Sequence, residues 1–475
     1  MDTTPRDTAP FARIDSFVAA TRTAIHVRRQ DRLLMIRPEK TLGINDSAVE
    51  ILSALYDPKA GPSHGVVQKL ASRYGVEVDR IASDAAALLD TIASMMRDDF
   101  QPRANVKYVS FDRSRLRYPV LAEIALTYRC QNRCTFCYAA SPTRRDHGPL
   151  MSTEQVKRVI DRIYHEAHVP TLSFTGGEAT LRKDLPELVR HGSQLGLRIN
   201  LITNGLRAAK QDYARCLVDH GLASAQVSIE AATAELHDRI VGRQGAFART
   251  VAGIRAFRQL GIHVHTNSTL CTTNIDQAQD IIAFVSEELG LSTLSMNMLI
   301  RTGNGLDPSM PPITYAQIAK TLPMLIEEAH RRKVKFVWYS PLPYCVVNPV
   351  LLGQGAKSCA CVSGIVSVNP AGELLPCSSF QEGIGSLLHR PFEEIYDSPQ
   401  ARYWRDRRYI PPACRTCPDV DVCAGACPLY WDAVGNFSEI PQPNASDPSD
   451  WQRWKQERIE GGSFGVPRPV CDQGK

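Results

Sequence analysis

The stretch PVLAEIALTYRCQNRCTFCY, residues 119–138, decides the architecture. Its first half reads as a short strand over 122–126, the opening member of a series of strands alternating with helices. Its second half puts Cys130, Cys134 and Cys137 on one tight loop directly after that strand. Three thiolates at this spacing can hold three irons of a cubane and leave the fourth iron open for chemistry, whereas a four-ligand cluster mostly stores or passes electrons. Zinc, or a structural cluster with a distant fourth cysteine, is the alternative on spacing alone.

Outward from the loop the pattern repeats. Strands are expected over 171–174, 198–202, 225–229, 263–269 and 293–298, with helices over 153–166, 185–195, 208–220, 246–260 and 275–289. Ser152 and Gln155 are spaced as a capping box at the head of the first helix. Six strand-and-helix units fall short of the eight a closed barrel needs, so the expected fold is α/β, a partial (β/α)6 TIM-like barrel. Parallel α/β folds carry their sites at the C-terminal strand edge. There the sequence supplies Gly176-Gly177-Glu178, Thr203-Asn204-Gly205, Ser228 with Glu230, and Asn267-Ser268-Thr269, each of which alone reads equally as a turn or cap. Two glycines expose backbone to a ligand, and the Glu178 carboxylate can pair with an ammonium.

The remaining cysteines extend the reading. Of 14 in 475 residues, nine fall between Cys345 and Cys471, while Cys216 and Cys271 stand apart as small core residues. The opening MDTTPRD lacks an export signal, and the longest nearly apolar run, 341–353, is too short to span a bilayer. A cytoplasmic location with no membrane partner follows, and in a reducing compartment clustered cysteines mean metal or iron–sulfur ligation rather than disulfides. The net charge of +5, spread over this length, argues little for a nucleic-acid partner, and none is expected. Apolar residues at 43% and charged residues at 22% exclude a disordered or fibrous chain.

Taken together, the Cys130/Cys134/Cys137 spacing, Phe136 before the last cysteine and the Gly176-Gly177-Glu178 segment resemble the radical S-adenosylmethionine superfamily. Ala179 stands where that family usually has proline, a change of backbone shape only. The resemblance implies reductive cleavage of S-adenosylmethionine to a 5′-deoxyadenosyl radical that removes hydrogen from an unactivated carbon. It also implies that Phe136, Gly176, Gly177, Glu178, Asn204, Ser228, Glu230 and Asn267 bind S-adenosylmethionine.

Further on, Cys361, Gly372 and Cys377 are followed by Cys414-x2-Cys417-x5-Cys423-x3-Cys427 and by Cys471. This resembles the SPASM domain, a cysteine-rich iron–sulfur extension of radical enzymes that modify peptides and proteins. A zinc ribbon on Cys414, Cys417, Cys423 and Cys427 would leave Cys361, Cys377 and Cys471 idle. The resemblance implies two auxiliary [4Fe–4S] clusters, hence three in all. Cys361, Cys377 and Cys427 would share one with Cys359 or Cys345, Cys359 being preferred; Cys414, Cys417, Cys423 and Cys471 would hold the other. Asp419 or Asp421 is the oxygen substitute for Cys471, and Asp421 the candidate base. Arg301 and Trp338 are guesses for the substrate pocket.

Residues 1–17 read as loose, 18–100 as a small domain, 101–118 as linker, 119–310 as the barrel, 311–344 as a bridge and 345–475 as the auxiliary-cluster domain. In the small domain, segments 23–29 and 32–36 form a hairpin, and helices follow over 48–56, 64–74 and 78–96, a winged-helix-like pattern. It resembles the PqqD-like peptide-recognition domain, in which a leader peptide adds a strand to the sheet edge. A DNA-binding winged helix shares the pattern, but the two later helices carry no concentrated Lys/Arg face. The expected protein oxidises a ribosomally made precursor peptide, by crosslink, thioether or decarboxylation, using flavodoxin or ferredoxin as reductant. An oxidase of a protein or small molecule, and a non-catalytic electron carrier, are the other classes.

Overall fold

The computed structural model describes residues 9–36, 40–97, 116–144, 148–441 and 448–460, and divides into two compact units, 1–118 and 119–475. Cys471 and most of the expected linker lie outside the described residues.

In the first unit, β1 (Ile25–Arg28), β2 (Leu33–Ile36) and β3 (Lys40–Gly43) form an antiparallel sheet in the order β1-β2-β3. The helices Asp46–Leu55, Ser63–Tyr74 and Val78–Met96 follow. Asn45 caps the first of these, accepting from the Ala48 amide at 2.9 Å, and Gly75, at φ 64°, closes the second. Their apolar faces meet β2 in one core that includes Leu34, Ile36, Leu52, Val67, Leu88 and Ile92. Two elements were not expected. The hairpin expected over 23–36 is extended by a third strand, β3. Residues 9–17, expected to be loose, belong to helix Ala9–Thr21, because Ile14 and Val18 sit one turn apart and both are buried in that core.

The second unit is built on a ten-stranded sheet. Its six central strands are β4 (Leu121–Ala125), β5 (Thr171–Thr175), β6 (Arg198–Thr203), β7 (Leu222–Ser228), β8 (His263–Leu270) and β9 (Thr293–Met298), parallel and adjacent in chain order. They are the six expected strands. On β6 and β8 strict alternation sends Ile199, Leu201, Val264 and Leu270 into the helical layer and leaves the opposite face half-buried. A helix that the sequence reading left out, Ala234–Val241, follows β7.

Two findings revise the domain plan. The expected bridge holds helix Tyr315–Arg331 and β10 (Lys335–Trp338), and β10 pairs in parallel with β9, so this segment extends the barrel sheet. The cysteine-rich region is joined to the other end of the same sheet. Its β11 (Ile365–Val368) runs parallel to β4, with Ser367 opposite Glu123, and continues into β12 (Glu373–Leu375) and β13 (Gly385–Ser386). The proline-rich tail also holds helix Pro448–Glu460, anchored by the wholly buried Trp454, whose indole N–H donates to the Tyr409 carbonyl at 2.7 Å.

Candidate active site

The cysteine loop leaves β4 and crosses the strand ends under tight backbone control. The Gly177 amide donates to the Thr127 carbonyl at 2.8 Å and the Glu178 amide to the Arg129 carbonyl at 3.0 Å. A Cβ on Gly177 would lie 2.5 Å from the Arg129 carbonyl oxygen, so only glycine lets the two segments approach this closely. The middle of the loop is tied to the unexpected helix, where the Arg133 and Thr135 amides donate to the carbonyls of Val241 and Ile240. Beyond Cys137, whose carbonyl accepts from the Asn304 amide at 2.9 Å, Gly303 at φ 53° would place a Cβ 2.5 Å from the same carbonyl oxygen. The loop is therefore pinned near each of its three cysteines.

Burial and nearby negative charge both oppose thiolates here. Burial first, then the Glu178 charge, pushes the Cys130 thiol up to about 12. Burial drives Cys134 well above its ordinary value, with Cys137 and Glu230 adding to it. Backbone and side-chain donors aim at the Cys130 sulfur, from the Asn132 amide at 3.4 Å and the Asn204 carboxamide at 3.7 Å.

Glu178 and Glu230 are the main surprise of the electrostatics. Glu178, 1% exposed, takes the Thr180 amide and hydroxyl and the Thr203 hydroxyl on Oε1, and the Asn204 amide on Oε2. Burial raises its pKa and those bonds pull it back. Glu230, 4% exposed, has the Thr269 amide at 2.8 Å, and burial pushes it up to about 8. Neither carboxyl has an ion-pair partner among the described residues. Two buried acids beside three half-buried thiols, with no ion-pair partner for either acid among the described residues, form a cradle whose charge a metal and a cationic ligand would complete. A sulfonium that also carries an ammonium has that chemistry, so the residues fit both groups.

Below the strand ends the barrel interior is polar. Ser367, Glu123, Ser173, Asn200 and Ser224 occupy one register row across β11, β4, β5, β6 and β7. Ser367 donates to Glu123 Oε1 at 2.7 Å, and Asn200 joins Ser173 and Ser224 at 3.1 and 2.8 Å. Glu123 is buried, and burial raises its pKa against hydrogen bonds from Ser367 and Ser378. The sequence reading passed over it, although an acid in the middle of an apolar strand was a visible signal. Nearer the edge, Ser228 is in register with Asn267, which bonds Asn297 and Ser295 at 2.9 Å each.

The eight described cysteines beyond residue 340 sort into two groups. Sγ atoms of Cys359 and Cys361 stand 3.2 Å apart. Hydrogen bonds from Cys359 and Cys377 raise the Cys361 thiol, and burial, then the charges of Cys359 and Cys377, raise Cys427. The β11–β12 hairpin makes this meeting possible, its two arms joined at the base by the Val362 amide on the Pro376 carbonyl. The second group is Cys414, Cys417, Cys423 and Cys345: burial and then Cys423, Cys345 and Cys417 push Cys414 up to about 12. Among the described residues no group of three or more His, Cys, Asp or Glu is arranged for a single metal ion; the thiolates of a cubane stand farther apart than ligands of one ion.

Other expected residues fare differently. Phe136 packs on Ala231, Leu236 and Ile240. Asp421, the candidate base, has a side chain that is 96% exposed, beside Arg407 at 3.8 Å. Arg301 braces the carbonyls of Gly305 and Leu306, and Trp338 is buried outright, so neither guess for the pocket is supported.

Three family profiles match the chain: the Radical SAM superfamily over residues 124–285, the SPASM iron–sulfur cluster-binding domain over 359–418, and coenzyme PQQ synthesis protein D, PqqD, over 32–94. The chain carries a radical SAM domain, a SPASM domain and a PqqD domain. The first two imply S-adenosylmethionine and iron–sulfur clusters as its cofactors. An AdoMet-dependent heme synthase of Methanosarcina barkeri is 28% identical over 68% of this chain and 95% of its own. A PqqA peptide cyclase of Rhodopseudomonas palustris is 28% identical over 68% of this chain and 86% of its own. Among solved structures, Streptococcus suis SuiB bound to precursor peptide SuiA aligns at TM-score 0.64 and 13% identity, covering 90% of this chain and 99% of SuiB. The AdoMet-bound anSMEcpe structure aligns at 0.54 and 15% identity, over 72% and 97%. At these identities the structural likeness concerns fold.

Proposed function

We propose that this chain is a radical S-adenosylmethionine maturase of a ribosomally made precursor peptide, oxidising a carbon of that peptide. The observation that carries it is the pinned Cys130/Cys134/Cys137 loop facing two buried, unpaired acids, in one chain with two groups of four thiols and a PqqD domain. That solved SuiB holds a precursor peptide, and that a relative is a PqqA peptide cyclase, favours a peptide substrate. When bound, the cluster and S-adenosylmethionine supply a 5′-deoxyadenosyl radical that takes a hydrogen atom from the substrate.

The chain's own residues do the rest. Cys130, Cys134 and Cys137 hold the open cluster, and Gly177 lets their loop lie against the strand ends. Glu178 and Glu230 would supply carboxylates to a cationic ligand, whose charge would favour releasing the protons that burial retains, with Asn204, Ser228 and Asn267 along the same edge. Three [4Fe–4S] clusters in all, a flavodoxin or ferredoxin reductant, and leader capture on the edge of the β1–β3 sheet complete the reading. No described helix is long and apolar enough to cross a membrane.

The test is anaerobic incubation of iron-reconstituted protein with dithionite, S-adenosylmethionine and candidate precursor peptides drawn from the short reading frames around its gene. Expected are 5′-deoxyadenosine and a peptide lighter by two hydrogens. Full iron with neither product, the cluster being shown reduced, overturns the reading.

A further inference from the structure

Two four-thiol sites need eight cysteines, and the region from Cys345 to Cys471 has nine. The SPASM profile covers 359–418 and so includes neither the first nor the last of them. We propose that Cys345, and not a cysteine from the C-terminal tail, supplies the fourth thiolate of the Cys414/Cys417/Cys423 site. The proposal rests on the reading that this region binds two four-iron clusters.

The geometry comes from the segment just before Cys345. The Tyr344 amide donates to the Cys423 sulfur at 3.4 Å, and the Leu342 carbonyl lies 3.7 Å from the same sulfur. Cys345 is the next residue on, so its backbone starts beside a member of the site. The segment is fixed in place: the Leu342 amide donates to the Lys357 carbonyl at 3.1 Å, and the Lys357 amide to the Tyr344 hydroxyl at 3.0 Å. Cys414 and Cys417 reach the same place through a tight turn, in which the Cys417 amide donates to the Cys414 carbonyl at 3.1 Å, and Cys423 through the single helical turn Val420–Cys423.

Charge neighbourhood agrees. After burial, the groups that raise the Cys345 thiol are Cys423, Cys417 and Asp419. The groups that raise Cys361 and Cys427 are Cys359 and Cys377, so the other site already has its four thiols. Cys345 is also the most open of the eight: it is exposed, while its proposed partners are half-buried or buried. An unligated thiol in that position reacts freely with an alkylating agent, and a ligated one does not.

That contrast supplies the test. Iron-loaded, full-length protein is treated anaerobically with iodoacetamide, before and after iron is removed with a chelator, and each cysteine is followed by peptide mass spectrometry. Cys345 should be protected in the loaded protein and become reactive on chelation, while Cys471 reacts at the same rate in both states. Cys345 reacting in the loaded protein at its iron-free rate, or protection of Cys471, overturns the proposal. If instead the clusters themselves are absent, Cys414 and Cys417 also react equally in both states, which separates the two failures. As a second measurement, Cys345→Ala should lower bound iron by about four per chain and Cys471→Ala by none; the reverse pattern overturns the assignment. Should Cys345→Ala not fold, the labelling of the unmodified chain decides alone.

Discussion

The two units of this chain differ in how much of their buried charge is paired. The first, residues 1–118, contains no cysteine at all. Its buried ion pair is closed within itself: Arg28 and Asp31, 1% and 3% exposed, meet through two parallel bonds of 2.8 Å, and Arg28 also donates to the Tyr118 carbonyl. The second unit also closes a buried pair, Arg458 with Asp432 at 3.0 Å. Among the described residues, however, it leaves Glu178 and Glu230 buried with no ion-pair partner, beside the Cys130 and Cys134 thiols that burial pushes up. The difference teaches that the first unit's buried pair is satisfied within the fold, whereas the Glu178 and Glu230 side of the second unit leaves charge for a bound group to balance.

Gly177→Ala should have the largest effect. Its Cβ would meet backbone oxygens of Arg129 and Tyr128 at 2.5 and 2.6 Å, which no rotamer change relieves. Iron bound by the Cys130 loop and 5′-deoxyadenosine formation should both fall to background, with the first unit's unfolding transition unmoved. Arg28→Leu should do the converse. Removing one partner of a buried pair costs about 3–5 kcal/mol, so the first unit should unfold earlier while iron per chain stays constant. Loss of iron in this variant would break the contrast.

Glu230→Gln sharpens the comparison through pH. In iron-free protein burial pushes the folded carboxyl up to about 8 from its ordinary 4.5. Between those values the folded chain keeps a proton the unfolded chain has released, so this group's contribution to stability falls as pH rises toward 8. The variant, relative to the unmodified protein, should therefore gain melting temperature from pH 5 to pH 8; a flat difference would sink the assignment. It should also bind S-adenosylmethionine more weakly, since the proposed role of Glu230 is to offer a carboxylate to that cation. The smallest effect belongs to Asp421→Asn, at a side chain almost fully in water. Stability should shift by no more than about 0.5 kcal/mol, and product formation should be unchanged; a large loss of product would support Asp421 as a base.

Much of the catalytic unit was legible in advance because its signals are local. Cys130, Cys134 and Cys137 lie within eight residues, the six strands declare themselves by period, and Gly176-Gly177-Glu178 follows a strand directly. Ser152 and Gln155 form the capping box their spacing promised. Helix Ala9–Thr21 was missed because polar, Pro/Thr-containing sequence precedes it and its helical face shows only when Ile14 and Val18 find the core. Glu123 was missed because a lone acid in a strand acquires meaning only from Ser367, 244 residues away.

The sequence alone determined the α/β alternation, the cysteine loop on the first strand's end and the supply of thiols for further sites, since periodicity and motif spacing act over a few residues. Only the tertiary structure decided that β11 would continue the barrel sheet beside β4, that Glu178 and Glu230 would find no counter-ion among the described residues, and that Cys345 would stand near Cys414, Cys417 and Cys423. Each of these depends on which distant segments share a hydrogen-bonded edge or a dry pocket. That is set by the closing of the whole sheet, and spacing along the chain carries no record of it.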